Sequence, residues 1–185
     1  SSTILNVFSS CRDLSNWHGV WLHVRSNRIN AGFGDGSGGF SAASRRVFRV
    51  TTSGFHSEWN HVAAVITSNN DIRIFINGEQ QTGVYNGSAS TMQNTTTGEA
   101  DIGYHRRGSS APNNFYQGEM DELQIFDIAL TTSQIRDLMC RKINPSATGI
   151  LAAWDFNEAG VNNFIDDLVG TRNGTRQGGM QSVRS

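Results

Sequence analysis

Proline and cysteine are scarce in this sequence, with two of each among 185 residues, and long apolar runs are missing altogether. A membrane-spanning helix needs about 20 consecutive apolar residues, so membrane insertion is not expected. Neither sign of charge dominates: 15 basic and 16 acidic side chains leave a formal net charge of −1. Nucleic acid and anionic membranes reward a strong basic excess, so neither is expected as a partner. Cys11 and Cys140 lie far apart and match no metal-ligand spacing. In a secreted protein they are a candidate disulfide; otherwise they are free thiols. The five histidines are scattered, with no His-x-x-x-His pair on which a metal would sit. The sequence shows no signal-peptide pattern; Ser1-Ser2-Thr3-Ile4 already reads as strand, which is expected of a processed product or a piece of a longer protein.

What the chain does have is glycine, 20 residues of it, and many short segments of strand character. In Val20-Trp21-Leu22-His23-Val24 the aliphatic residues take alternate positions, leaving Trp21 and His23 on the other face. His61–Thr67 is almost wholly apolar, the pattern of a central strand covered on both faces. Asp71–Ile76 alternates cleanly, and the polar turn Ser68-Asn69-Asn70 between the two predicts a hairpin. Asn77-Gly78 follows, a pair that tolerates the positive φ of a tight primed turn. Further strands are predicted near Ile4–Ser9, Arg28–Phe33, Val47–Val50, Ala100–Tyr104, Gly118–Phe126 and Ile150–Phe156. Gly/Ser/Thr/Asn-rich loops separate them at Gly34–Ser41, Asn86–Gly98 and Gly108–Asn114. One helix is predicted over residues 132–139: Thr131 and Gln134 form a capping box, and Ile135, Leu138 and Met139 line one side. Regularly spaced short strands with a single helix predict an all-β sandwich of two antiparallel sheets. The segment after Asp167 is polar and glycine-rich, which predicts one domain over 1–167 and a tail or linker over 168–185. Asn86-Gly87-Ser88, Asn94-Thr95-Thr96 and Asn173-Gly174-Thr175 carry the glycosylation-acceptor pattern, weak support for an extracellular protein.

Three stretches together resemble one family. Glu58-Trp59-Asn60-His61-Val62-Ala63, with Ile72–Ile76 and Asn77-Gly78-Glu79, resembles the central hairpin of laminin-G-like domains. Gly118-Glu119-Met120-Asp121-Glu122-Leu123 through Phe126, then Ala129-Leu130-Thr131 and the helix, resembles their penultimate strand and helix. Trp154-Asp155-Phe156-Asn157-Glu158 is similar to the closing strand of pentraxin-type members. The resemblance, running from about Ile4 to Asp167, implies a concanavalin A-like jelly roll. It also implies a departure: the first strands of the family are absent before Ile4. They are then supplied by another chain, or the domain is a fragment or a circular permutant, because a sandwich lacking them exposes unpaired edges.

The resemblance raises two chemistries. Laminarinase-type glycosidases place their acids on one strand as Glu-x-Asp-x-Glu, with the reacting carboxyls about 5–5.5 Å apart for retention. Here Glu119 and Asp121 are followed by Leu123, or Gln124 across a bulge, and Glu122 projects the other way on a regular strand. No catalytic residue is assigned and no enzyme is expected; a glycoside hydrolase is the weakest alternative. The pentraxin-type calcium site maps onto Asp13–Asn16 and the loop after Ile102-Gly103, where His105-Arg106-Arg107 stand in place of acids. Calcium gains affinity from carboxylates, so no cofactor is expected there, and Asp35 or Asp121 are left as holders of a structural calcium. The arginine fork instead suits a carboxylate, sulfate or acidic sugar. The candidate ligand set is therefore Asp13, Asn16, Trp17, His105, Arg106, Arg107 and Asn114. Trp17 and Trp21 would stack on a sugar only if exposed; Trp59 and Trp154 are expected in the core or at strand ends. Gly34-Asp35-Gly36-Ser37-Gly38-Gly39 precedes neither lysine nor helix and is a strand connection, not a phosphate loop.

The expected function is a non-catalytic, extracellular or cell-surface module for binding or adhesion. Loops at one sandwich edge would recognise a glycan or an extracellular protein. The alternative is a structural or assembly domain of a fibre, appendage or virion, whose sheet is completed by other chains.

Overall fold

The computed structural model describes residues 5–10, 16–25, 27–53, 58–94, 99–104, 115–158 and 164–177. The chain is all-β with one helix, and by contact it divides into two compact units, Ser1–Gln117 and Gly118–Ser185.

The first unit holds β1 (Leu5–Ser9), β2 (Val20–Arg25), β3 (Arg28–Gly34), β4 (Arg45–Thr51), β5 (Val62–Ser68), β6 (Asp71–Ile76), β7 (Glu79–Gln80), β8 (Val84–Asn86) and β9 (Asp101–Ile102). Six of these form one antiparallel sheet in the order β8-β4-β3-β2-β1-β9, and three form a second in the order β5-β6-β7. Alternation decides which side chains meet. On β2, β3 and β4 the rows Val24–Ile29–Val50 and Leu22–Ala31–Phe48 lie in register and turn to the inner face. There they pack with Ile72 and Ile74 of β6, so two layers close face to face on one apolar core. Arg46 helps fasten the layers at one end. Its guanidinium donates to the Asn69 carbonyl at 2.7 Å, the Asn70 Oδ1 at 3.0 Å and the Gly87 carbonyl at 2.6 Å. The same group lies 4.4 Å from the centroid of the Tyr85 ring, whose hydroxyl accepts the Ile72 N–H at 3.0 Å.

The turns follow the residues that favour them. Asn77 and Gly78 take φ of 50° and 75°, and Ile76 pairs directly with Glu79 across this two-residue turn. The Asn69-Asn70 turn joins β5 to β6, with Ser68 opposite Asp71. Two expectations need correction. The run His61–Thr67 was expected to be central, yet among the described residues β5 pairs with β6 alone, and Ala64 is exposed. Small alanines at 63 and 64 give an apolar composition without the bulk that marks a doubly covered strand. The space beside β1, where absent strands were expected to leave an edge, is occupied at Phe8 and Ser9 by this chain's own β9.

The second unit holds β10 (Leu123–Phe126), α1 (Thr132–Met139), β11 (Ile150–Trp154), β12 (Phe164–Ile165) and β13 (Gly174–Thr175). The helix has the predicted bounds and cap: Thr131 Oγ1 accepts the Gln134 N–H at 3.3 Å, and Gln134 Oε1 accepts the Thr131 N–H at 2.8 Å. Ile135 is buried, while Met139, expected in the packed stripe, is exposed. β10 and β11 form one antiparallel pair, β12 and β13 another.

The residues from 168 to 177, read from sequence as tail or linker, are built into the unit by one carboxylate. Asp167 Oδ1 accepts the N–H groups of Ala153 at 3.0 Å and Val169 at 3.1 Å, and Oδ2 accepts that of Arg172 at 3.2 Å. Asn173 Oδ1 accepts the Asp167 N–H at 2.9 Å, and Arg172 Nη1 donates to the Leu151 carbonyl at 2.8 Å. Burial alone would raise the Asp167 carboxyl, but backbone donors from Ala153, Val169, Arg172 and Gly170 outweigh it and hold the group below its ordinary value.

A depressed folded-state pKa contributes stability that is complete above the unfolded value of about 3.9 and is lost as pH falls through the folded value. Asp167→Asn is therefore expected to destabilise the chain by about 1–3 kcal/mol at pH 7. Urea melts should show the gap between variant and wild type narrowing steadily as the buffer is taken below pH 4.

Candidate functional site

Of the residues proposed from sequence, Asn16 and Trp17 are described, whereas Cys11, Asp13, His105, Arg106, Arg107 and Asn114 lie outside the described residues. Asn16 Oδ1 accepts the Gly39 N–H at 2.8 Å, tying the segment before β2 to the glycine-rich connection after β3. Trp17 is only 8% exposed. Its ring lies 4.8 Å from Trp21 and 5.4 Å, edge-on, from Phe40, with the Arg45 guanidinium 5.5 Å from its centroid. The backbone beside it is equally close. A Cβ added at Gly34 would stand 2.3 Å from the Trp17 carbonyl, so only glycine fits where these segments pass. Both Trp17 and Trp21 are thus packing residues, and exposure, the condition for stacking on a sugar, is not met.

Trp59 is the reverse case and corrects the expectation that it packs in the core or at a strand end: it is 66% exposed. The loop around it is tied down by side chains. Asn77 Oδ1 accepts the His61 N–H at 2.9 Å, Asn77 Nδ2 donates to Asn60 Oδ1 at 2.9 Å, and Asn60 Nδ2 donates to the Glu58 carbonyl at 3.0 Å. Burial lowers the His61 imidazole from its ordinary value. A broad indole is thereby presented to solvent on a segment, Glu58–His61, that Asn60 and Asn77 hold. Indoles of this kind combine an apolar face with one N–H donor and are enriched where proteins bind partners.

The outer face of the six-stranded sheet carries a second arrangement that no local sequence pattern announces. Asn6, His23, Asn30 and Arg49 fall in register across β1, β2, β3 and β4, forming a polar row on the face opposite the core. Arg25 stands directly opposite Arg28 one step along the same face. Asn6 is held by donating to the carbonyls of Asp101 and Tyr104. Burial, followed by the positive fields of Arg28 and Arg49, lowers the Arg25 guanidinium from its ordinary value. Arg28 and Arg49 thus both lie near enough to Arg25 to act on its charge.

The acids singled out from sequence stand differently from the strand geometry assumed for them. Glu119, Asp121 and Glu122 are exposed and precede β10, and Glu122 takes φ of 51° while its N–H bonds to Asp121 Oδ1 at 2.8 Å. The premise that Glu122 projects opposite its neighbours on a regular strand is corrected: the chain turns there. Burial, then the like charges of Asp121 and Asp155, raise the Glu122 carboxyl against the opposing pull of Lys142. Asp35 Oδ1 accepts both the N–H and the O–H of Ser37, at 2.9 and 2.8 Å, so it shapes a turn. Among the described residues no three His, Cys, Asp or Glu side chains group as metal ligands. Cys140, at the helix C-cap, is an exposed free thiol.

Two antiparallel layers with a pinned, aromatic-bearing loop edge and a polar sheet face define a lectin-like β-sandwich. The chain belongs to the concanavalin A-like lectin/glucanases superfamily: the family's laminin-G-like profile matches residues 3–136. None of the curated proteins matches it.

Trp17→Ala is expected to cost about 3–5 kcal/mol of stability, the penalty for emptying a packed aromatic site. Chemical denaturation would measure it; a change below about 0.5 kcal/mol, typical of surface sites, would remove Trp17 from the packing scheme.

Proposed function

We propose that the chain is a non-catalytic extracellular module for binding or adhesion, meeting a glycan or a protein surface with the loops at one edge of the sandwich. Membership of a superfamily of lectins and glucanases supports binding as the general role, although fold alone names no ligand. The observation that carries the proposal is Trp59, a large apolar ring left in solvent by a loop that three asparagine-mediated hydrogen bonds hold in place. Fixing the loop in advance lowers the ordering cost of binding, and tryptophan is among the side chains that concentrate binding energy. No helix among the described residues is long and apolar enough to cross a membrane.

Glycan-array binding by the wild-type chain and by Trp59→Ala tests this. The variant should keep the wild-type stability to within about 0.5 kcal/mol, because the ring is exposed. Its affinity for the glycans that the wild type retains should fall about tenfold or more, as for a tryptophan at the centre of a contact. Equal binding by the two chains would refute the assignment of this edge.

A further inference from the structure

The two sheets of the first unit end on four edge strands, and three of them are blunt: β7 and β9 have two residues each and β8 has three. The fourth, β5, has seven, and among the described residues it pairs with β6 alone. Edge strands are ordinarily kept from pairing further by shortness, charge or proline. None of these protects β5, since no Asp, Glu, Lys, Arg or Pro stands between Glu58 and Asp71. The core-facing layer also stops short here. Val62 and Ile66 pack against the core, and Ala64 shares their face by alternation, paired with Ile74. Ile74 is fully buried, yet Ala64 is exposed, so the covered row ends in the open on this strand. The regular part of β5 runs from Val62 to Ile66, before its register shifts ahead of Ser68. Its own image fits it: an antiparallel pairing about Ala64 sets Val62 opposite Ile66 and Ala63 opposite Val65. Apolar side chains then meet at each step, no charge faces its copy, and a two-fold axis normal to the sheet keeps both core-facing rows on one side.

We propose that a second copy of this chain docks on the β5 edge. The two β5 strands pair antiparallel about a two-fold axis at Ala64 and join their three-stranded sheets into one continuous sheet, β7-β6-β5-β5-β6-β7. Backbone hydrogen bonds along the new ladder supply the attraction, as in other strand additions to an open edge, and the small Ala64 side chain lets the two strands meet on the axis. The pairing does not depend on the binding role inferred above.

Sedimentation of the full chain over a concentration series tests this, with reductant present because Cys140 is an exposed free thiol. The wild type should show a monomer–dimer equilibrium. Ala64→Lys sets two ammonium groups on the axis and Ala64→Glu two carboxylates, so each alone should weaken the dimer about tenfold or more. Mixing the two variants should restore it, because the opposed charges then attract. Both should melt as the wild type does at dilutions where all three are monomeric, since Ala64 is exposed. Ala64→Cys, made in a Cys140→Ser background, keeps a small side chain and serves if the charged variants do not fold. Directly opposed Cβ atoms on paired strands lie about 4.5–5.5 Å apart, within reach of a disulfide after slight adjustment. Oxidation should therefore link this variant into a covalent dimer, and should link Gln80→Cys, on the opposite edge of the sheet, no more than the Cys140→Ser parent. A wild-type chain that stays monomeric at every concentration overturns the proposal and leaves the binding role standing. A dimer that neither charge weakens overturns the β5 edge as its interface. Weakening by both charges without recovery in the mixture, or equal cross-linking at positions 64 and 80, overturns the two-fold register.

Discussion

The apolar layer shared by the inner face of the six-stranded sheet and β6 is the constraint on which the first unit depends. Val24, Ile29, Val50, Ala31 and Phe48 can meet Ile72 and Ile74 only if β2, β3 and β4 keep their mutual register. Once they do, strand alternation leaves the intervening residues no choice of side. His23, Asn30, Arg28 and Arg49 are therefore collected on the outer face by the same packing that buries their neighbours. Arg46 adds a directional element to this non-directional core, since its bonds to Asn69, Asn70 and Gly87 specify where the second layer sits along the first. Hydrophobic area brings the layers together, and the guanidinium sets their alignment.

The second unit relies on another device. Its strand pairs are short, and the turns that close it are organised around the Asp167 carboxylate, with Asn173 and Arg172 completing the network. A side chain here does the work that a longer ladder of backbone partners would do elsewhere. This is why the stretch after Asp167 reads as tail: its polar residues look solvated until their partners, up to twenty-one positions away at Leu151, are known.

Local signals were legible wherever the chemistry is local. The capping box at Thr131 and Gln134 located the helix, and Asn77-Gly78 located a primed turn, because both motifs satisfy their own backbone. Alternation in Val20–Val24 and Asp71–Ile76 separated the faces of two strands, and the ordered set of motifs pointed to the family. What depended on tertiary placement was less visible. The run His61–Thr67 has core composition, yet β5 has a single neighbour among the described residues. Trp59 has the size of a core residue but sits in a loop that asparagines hold open to solvent. Glu122 escapes strand alternation because of a positive φ that no glycine announces. The three arginines come from three strands, and each looks like an ordinary polar strand residue until Arg25 is set against Arg28 and Asn30 against Arg49. The basic loop at His105–Arg107 lies outside the described residues, so the sequence's own ligand set is represented in the structure by Asn16 and Trp17, both of which organise packing.

The placement of Arg25, Arg28 and Arg49 has a consequence for assembly of the sheet itself. A strand displaced by one position presents its opposite face, so sliding β3 would exchange Ile29, Ala31 and Phe33 for Arg28, Asn30 and Gly32 in the interior. An unpaired guanidinium forced into that layer costs several kcal/mol, far beyond what a slipped ladder of equal length recovers. The outward arginines thus act as sentries against mispairing during folding, each one making the misaligned alternatives too unfavourable to persist.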